Sequence, residues 1–305
     1  MQKIKKTFKD IKALEKIQGA EAVAKAIIVA LKGLALRIKA KDKKDFEAQI
    51  KKAADLLLSA RPTEPLAQNA VKFLFFKINE ANNVKEAKLL FKSAADEILR
   101  TIDKAKKEIV AIGRSLIRNG DNIFTHCHST TVEEILITAK KTGKKFSVFN
   151  TETRPLFQGH ITATNLIKAG IDATMVTDGS AGFLISQYSD RGLIMDKLIM
   201  GCDAILPDGT VINKIGSFVT AQAAHYEKDL VYIAGSLLKF HPKNWIELEK
   251  RPAKEIWDKA PAKLKIINFA FDVVPAEFIE GIICEAGIIK PSQVERKAKE
   301  LYPWL

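Results

Sequence analysis

The period of the hydrophobic pattern changes at Asn119-Gly120, and that change limits the fold more than any other feature of the chain. From Lys3 to about Arg118, apolar residues recur at three- and four-residue spacing, as in Ile11, Leu14 and Ile17 and then Val23, Ile27, Leu31 and Leu34. Such spacing lays one apolar stripe along each helix. Breaks fall at Gln18-Gly19-Ala20, around Lys41-Asp42, at Arg61-Pro62-Thr63-Glu64-Pro65 and at Asn82-Asn83; prolines there end one helix and start the next. The last helical stretch, roughly Val84 to Arg118, is long enough to act as a spine joining two halves. Beyond Gly120, short apolar runs alternate with helical stretches. Strands are expected at Asn122 to Thr125, Lys145 to Phe149, Ala173 to Val176, Lys197 to Met200 and Leu230 to Ile233.

That alternation predicts a mainly parallel sheet covered on both faces. The fold class is therefore α/β, with an N-terminal helical domain over residues 1–118 that includes the long connecting helix, then a Rossmann-like domain over residues 119–305. A tight turn at Pro207-Asp208-Gly209 reads as a hairpin leading into Val211-Ile212. With 305 residues and 47% hydrophobic content, the chain can bury a full core. Its longest apolar runs, such as Ala24 to Leu36, are interrupted well short of the roughly 20 residues a membrane span needs, so no membrane association is expected. Met1-Gln2-Lys3-Ile4-Lys5-Lys6 is basic without an apolar signal core. Cys127, Cys202 and Cys284 show neither disulfide nor metal-ligand spacing, which suits a reducing cytoplasm and leaves the thiols for chemistry. No cofactor is called for.

Lysine and arginine outnumber acids 49 to 36, a formal charge of +13, and a field of that sign attracts phosphorylated metabolites and nucleic acid alike. The lysines, among them Lys3, Lys5, Lys6, Lys9 and Lys12, fall among acids within helical patterns without interleaved aromatics. Solvated helix faces explain them, and nucleic acid is not the expected partner.

In open α/β sheets ligands sit beyond the carboxyl ends of the strands. Here those ends carry His126-Cys127-His128-Ser129, Asn150-Thr151-Glu152-Thr153-Arg154, Thr177-Asp178-Gly179-Ser180 and Cys202-Asp203. A thiol at a helix N-terminus near histidines has its thiolate favoured, so Cys127 is a candidate base or nucleophile; an inert buried cysteine is the alternative. Asp203 stands among Ile199, Met200, Ala204 and Ile205, where burial would let it hold a proton to donate, unless it is a turn aspartate. Asn213 and Lys214 offer an amide and a point charge at a helix start, which suits a phosphate, against an ordinary surface lysine. Gly19-Ala20 could present backbone N–H groups to an anion or be a plain helix boundary. Arg61 could be no more than a charge at a helix C-terminus.

Glu152-Thr153-Arg154-Pro155-Leu156-Phe157-Gln158-Gly159, Gly201-Cys202-Asp203-Ala204, Asn213-Lys214-Ile215-Gly216 and Lys239-Phe240-His241-Pro242 together resemble the superfamily of sugar-phosphate isomerases related to the α, β and δ subunits of translation initiation factor 2B. Nearly the whole chain takes part, including Arg61-Pro62-Thr63 and the closing Phe271-Asp272-Val273-Val274-Pro275. Thr125-His126-Cys127-His128-Ser129 and Lys239-Phe240-His241-Pro242 look most like the archaeal ribose-1,5-bisphosphate isomerase branch.

The resemblance implies an aldose-to-ketose isomerase taking ribose 1,5-bisphosphate to ribulose 1,5-bisphosphate in nucleoside monophosphate salvage. It gives proton abstraction to Cys127 and proton donation to Asp203, with substrate contacts at Gly19, Ala20, Arg61, Ser129, Gln158, Asn213, Lys214 and Lys239. It also implies a homodimer, or a hexamer built from dimers, and AMP as an effector at a site to which no residue is assigned. In the family's enzymes an arginine usually precedes the Gly-Ala of the N-terminal anion loop; Gln18 stands there in this chain, with Lys16 the nearest cation. A neutral amide replaces a bidentate guanidinium. Two other readings stay open: a non-catalytic subunit akin to those of initiation factor 2B, and 5-methylthioribose-1-phosphate isomerase, which would need an apolar pocket in place of a second phosphate site.

Overall fold

The computed structural model describes residues 2–13, 17, 19–189 and 193–305. Leu14, Lys16 and Gln18 lie outside the described residues, and with them the readings that concern the cation and the amide of the N-terminal anion loop. Contacts divide the chain into two compact units. One comprises residues 1–104, 238–240 and 298–305, the other residues 105–237 and 241–297.

The first unit is helical. It holds α1 (Gln2–Ala13), α2 (Ala20–Ala35), α3 (Lys43–Leu58), α4 (Pro65–Ile78) and the start of α5 (Val84–Leu116). Each boundary has a local cause. Gly19 adopts φ 83° just ahead of α2. The Asp42 carboxylate accepts from Asp45 N–H at 2.8 Å at the start of α3. Pro65 opens α4 in the first turn, where its missing N–H costs nothing. Asn83 Oδ1 accepts from Glu86 N–H at 3.0 Å while Glu86 reaches back to Asn82 N–H at 2.8 Å, a reciprocal cap that starts α5. Inside the unit, Phe46 meets Phe91 edge to face with ring centres 6.2 Å apart, and the buried Asn69 amide donates to the carbonyls of Leu238 and Phe240, both at 2.8 Å.

The second unit is built on a seven-stranded sheet. In chain order its elements are β1 (Asn122–Thr125), α6 (Thr130–Lys141), β2 (Ser147–Thr151), α7 (Gly159–Lys168), β3 (Asp172–Val176), α8 (Ala181–Ile185), β4 (Lys197–Met200), β5 (Ala204–Ile205), β6 (Val211–Lys214), α9 (Ser217–Tyr226), β7 (Leu230–Ala234), β8 (Phe271–Val274), β9 (Gly281–Cys284) and β10 (Gly287–Ile289), with α10 (Val294–Leu301) following. The large sheet runs β10-β9-β7-β4-β1-β2-β3, parallel except for the β9–β10 pair. A small antiparallel sheet, β5-β6-β8, carries the expected hairpin. The expected β1 and β4 agree with the observed strands. β2 runs two residues further than expected, so Asn150 and Thr151 are strand residues rather than loop.

The core beneath the large sheet joins Ile123, Val148 and Ile199 of the strands to Ile135 and Leu136 of α6 and Ile109 of α5. Burying such side chains stabilises the unit by roughly 1.5–3 kcal/mol each. At the amino ends of β1 and β4, Lys197 Nζ pairs with Asp121 Oδ2 at 2.7 Å; both residues are buried, and the pair locks the two central strands together at the end away from Cys127. β3, at the edge, is covered less fully than the alternation suggested: none of its residues is buried.

Candidate active site

The chain runs outward from β1 through β2 to β3 and then returns to β4 on the other side of β1, so its direction reverses between the two central strands. A ligand is expected beyond the carboxyl ends at such a reversal. Cys127 follows the end of β1 at Thr125, and Asp203 follows the end of β4 at Met200. The two proton carriers read from the sequence therefore leave the sheet side by side. Ser129 joins them: a Cβ added at Gly201 would stand 2.7 Å from Ser129 Oγ, so only glycine lets the β4 exit pass this close.

Cys127 is buried, 7% exposed, and its backbone is left-handed at φ 67°, a conformation that costs an L-residue roughly 1–2 kcal/mol. Its N–H donates to Thr153 Oγ1 and its carbonyl accepts from Thr162 Oγ1, both at 3.1 Å. Cys127 Sγ lies 3.7 Å from Gln158 Oε1. Gln158 comes this near because α7 presses on β2 at Gly159, where a Cβ would fall 1.8 Å from the Thr151 carbonyl oxygen.

The charge state of the thiol departs from expectation. Cys127 lies outside the first turn of α6, whose cap is Ser129, accepting from Val132 N–H at 3.4 Å, so the dipole acts on it from a distance. Burial pushes the thiol up to about 11, against the pull of Lys214 and the His128 N–H, while Asp203 and Asp178 push the same way as burial. The resting group is a thiol. Asp203 is half-buried rather than enclosed, and its N–H donates to the Ile212 carbonyl at 2.8 Å, which ties the β4 exit to β6.

Asn213 and Lys214 close β6, opposite Asp272 and Phe271 of β8. The Asn213 amide donates to Ser217 Oγ at 2.8 Å, and the Ser217 hydroxyl donates to the Lys214 carbonyl at 2.6 Å. Lys214 Nζ stands 5.0 Å from the centre of the Phe271 ring, a cation–π contact that steadies the ammonium. Gly216, at φ 102°, turns the chain into α9 against the imidazole of His126; a Cβ there would meet Cε1 at 2.7 Å. The sequence reading gave no role to Asp272. Its Oδ2 accepts from the N–H groups of Gly216 and Phe218, at 2.7 and 3.1 Å, capping α9, and burial pushes its carboxyl up to about 6. Its place opposite Asn213 comes from the pairing of β8 with β6, which no local feature of the sequence marks.

The remaining expected contacts belong to the helical unit. Gly19 and Ala20 open α2. Arg61 lies beyond the end of α3, buried, with its guanidinium 2.7 Å from the buried Glu64 carboxylate, so it is more than a charge on a helix end. Lys239 closes a 3-10 turn, Leu237–Lys239, and is half-buried. No helix among the described residues is long and apolar enough to cross a membrane.

The Initiation factor 2 subunit family matches residues 16–291. The ribose 1,5-bisphosphate isomerase of Methanocaldococcus jannaschii is 36% identical over 308 residues, which span 99% of this chain and 96% of that one. Among solved structures, translation initiation factor eIF-2B from Pyrococcus horikoshii superposes with a TM-score of 0.82 at 31% identity, over 96% of this chain and 98% of that one. The 5-methylthioribose 1-phosphate isomerase of the same organism gives 0.77 at 26% identity, over 98% and 88%. With so nearly complete a match, the chain belongs to the Initiation factor 2 subunit family.

Proposed function

We propose that the protein is an aldose–ketose isomerase that converts ribose 1,5-bisphosphate to ribulose 1,5-bisphosphate. One observation carries the reading: Cys127 and Asp203 leave adjacent parallel strands at the reversal of the sheet, with Lys214 close enough to pull on the thiol. The name of the Methanocaldococcus relative supports the substrate. A phosphate on C1 locks the anomeric carbon as an acetal, so ring opening must be coupled to proton movement. Once the Cys127 thiol has lost its proton to solvent, Asp203 gives a proton to the ring oxygen as the ring C1–O bond breaks, and the Cys127 thiolate takes the C2 proton, leaving a C1–C2 enol phosphate. The Cys127 thiol then returns its proton to C1 while the C2 hydroxyl proton passes to the Asp203 carboxylate. Both groups end as they began.

In this scheme Asn213 and Lys214 hold a phosphate and Gln158 and Ser129 line the sugar. Gly19, Ala20, Arg61 and Lys239 are extended the same role of substrate contact, and Lys239→Met should raise KM more than it lowers kcat. A homodimeric assembly in the cytoplasm and AMP as effector complete the proposal. The test is incubation of the purified, reduced protein with ribose 1,5-bisphosphate and, separately, methylthioribose 1-phosphate, with ketose formation followed by NMR. Turnover of the first alone supports the proposal; turnover of the second alone reassigns the substrate. Turnover of neither sugar would move the reading to a non-catalytic subunit.

A further inference from the structure

Cys127 is held in its unfavourable backbone by groups that the proposed reaction does not use. Its N–H donates to Thr153 Oγ1 at 3.1 Å; Thr153 Oγ1 lies 3.1 Å from Thr151 Oγ1; Thr151 Oγ1 lies 2.6 Å from His126 Nδ1; and His126 Nε2 lies 2.8 Å from the Ile215 carbonyl oxygen. The direction of every bond follows from its ends. A carbonyl can only accept, so His126 carries its proton on Nε2, and burial, which pushes this imidazole down, keeps it neutral. Nδ1 is then an acceptor, Thr151 donates to it, and Thr153 donates to Thr151 while accepting from Cys127. His126, Thr151 and Thr153 are all buried, at 1%, 0% and 1% exposure. Thr153 is itself left-handed at φ 63°, and Asp178 Oδ1 accepts its N–H at 2.8 Å. The chain of hydrogen bonds starts at the residue bearing the thiol and ends on the residue next to Lys214.

We propose that Thr153, Thr151 and His126 are positioning residues that tie the backbone of Cys127 to the Lys214 loop, so that the thiol and the cation facing it keep one fixed separation. The inference deepens the isomerase reading by naming what aims its base. Left to itself, a cysteine at φ 67° relaxes to negative φ, and a side chain so turned leaves the place where burial, Lys214, the His128 N–H, Asp203 and Asp178 together set its titration. The clamp therefore acts against the thiol's own preference: it keeps buried a group that would ionise more readily in water.

This gives a signature that general loosening does not share. Thr153→Val removes the acceptor without changing the side-chain shape, and Thr153→Ser keeps it. The variants are treated with iodoacetamide between about pH 6 and 10, and alkylation of Cys127, Cys202 and Cys284 is followed separately by peptide mass mapping. Isomerisation of ribose 1,5-bisphosphate is assayed in parallel. In Thr153→Val we expect Cys127 to be alkylated at least about tenfold faster near neutral pH, its titration moving down from about 11 toward an ordinary thiol, with Cys202 and Cys284 unchanged and kcat lowered on the order of a hundredfold at similar KM. Thr153→Ser should match the native chain. The proposal is overturned if Cys127 keeps its native profile in Thr153→Val, if all three thiols become reactive together, or if Thr153→Ser behaves as Thr153→Val. Thr151→Val, which breaks the same chain one link on, replaces Thr153→Val if the latter does not fold, with the same outcomes. Because alkylation needs no substrate, it decides the clamp even if the isomerase assay is blank.

Discussion

Asp272 makes the stability of the second unit depend on pH in a direction opposite to most carboxylates. Its carboxyl is raised from 3.8 to about 6 by burial, outweighing the N–H groups of Phe218 and Gly216 that favour the charge. Between those two values the folded chain holds a proton that the unfolded chain has lost. Stability contributed by this group is therefore full below about pH 4 and falls as pH rises through 6. The interval of about 2 units corresponds to about 3 kcal/mol. Asp272→Asn keeps an oxygen to accept from Gly216 and Phe218 and has no charge to desolvate. Urea unfolding of both chains should thus show the variant more stable by about 3 kcal/mol near pH 7.5. That gap should close as pH falls through 6 and be gone near pH 4. All other titrating groups cancel in the difference. A gap that stays constant across this range would refute the assignment of the raised carboxyl to Asp272.

The same physics gives further expectations. If the base is the ionised form of the buried Cys127 thiol, Cys127→Ser should lose several orders of magnitude in kcat; a variant that keeps near-native turnover would remove the thiol from the chemistry. Gly216→Ala forces a side chain into φ 102° and against His126 at 2.7 Å, and should cost about 2–4 kcal/mol by thermal or urea unfolding, with loss under about 1 kcal/mol counting against the close approach. Lys197→Met leaves the buried Asp121 carboxylate without its cation, with the Arg118 N–H still donating to it, and should cost about 3–5 kcal/mol, much of it recovered by adding Asp121→Asn; an uncorrected double variant would contradict the pairing.

Much of the fold could be read from the chain because its signals are local. The helix boundaries at Gly19, Asp42, Pro65 and Asn83 are marked by residues that cap or start helices by themselves. β1 and β4 are short apolar runs closed by polar residues, so their ends, and with them Cys127 and Asp203, could be placed. What escaped depends on residues far apart. β8, β9 and β10 were not recognised, since each is only three or four residues long and gains its identity from partners elsewhere: β8 from β6, β9 from β7. The thiol's state was misjudged for a similar reason. Nearby histidines are visible in sequence, whereas the packing that desolvates Sγ is not. Thr162, which anchors the Cys127 carbonyl, lies within α7 and carries no sign of that task.

The reversal of strand order has an evolutionary corollary. Because the sulfur and the carboxyl are rooted in two inner strands, whose far ends are bolted by Lys197 and Asp121, their geometry is insulated from whatever happens at the β10 rim. β10 and the segments beside it can lengthen, shorten or change composition without disturbing the register of β1 against β2 and β4. A descendant could thus acquire a taste for a differently decorated sugar, or abandon chemistry for signalling, while inheriting the same hub unaltered.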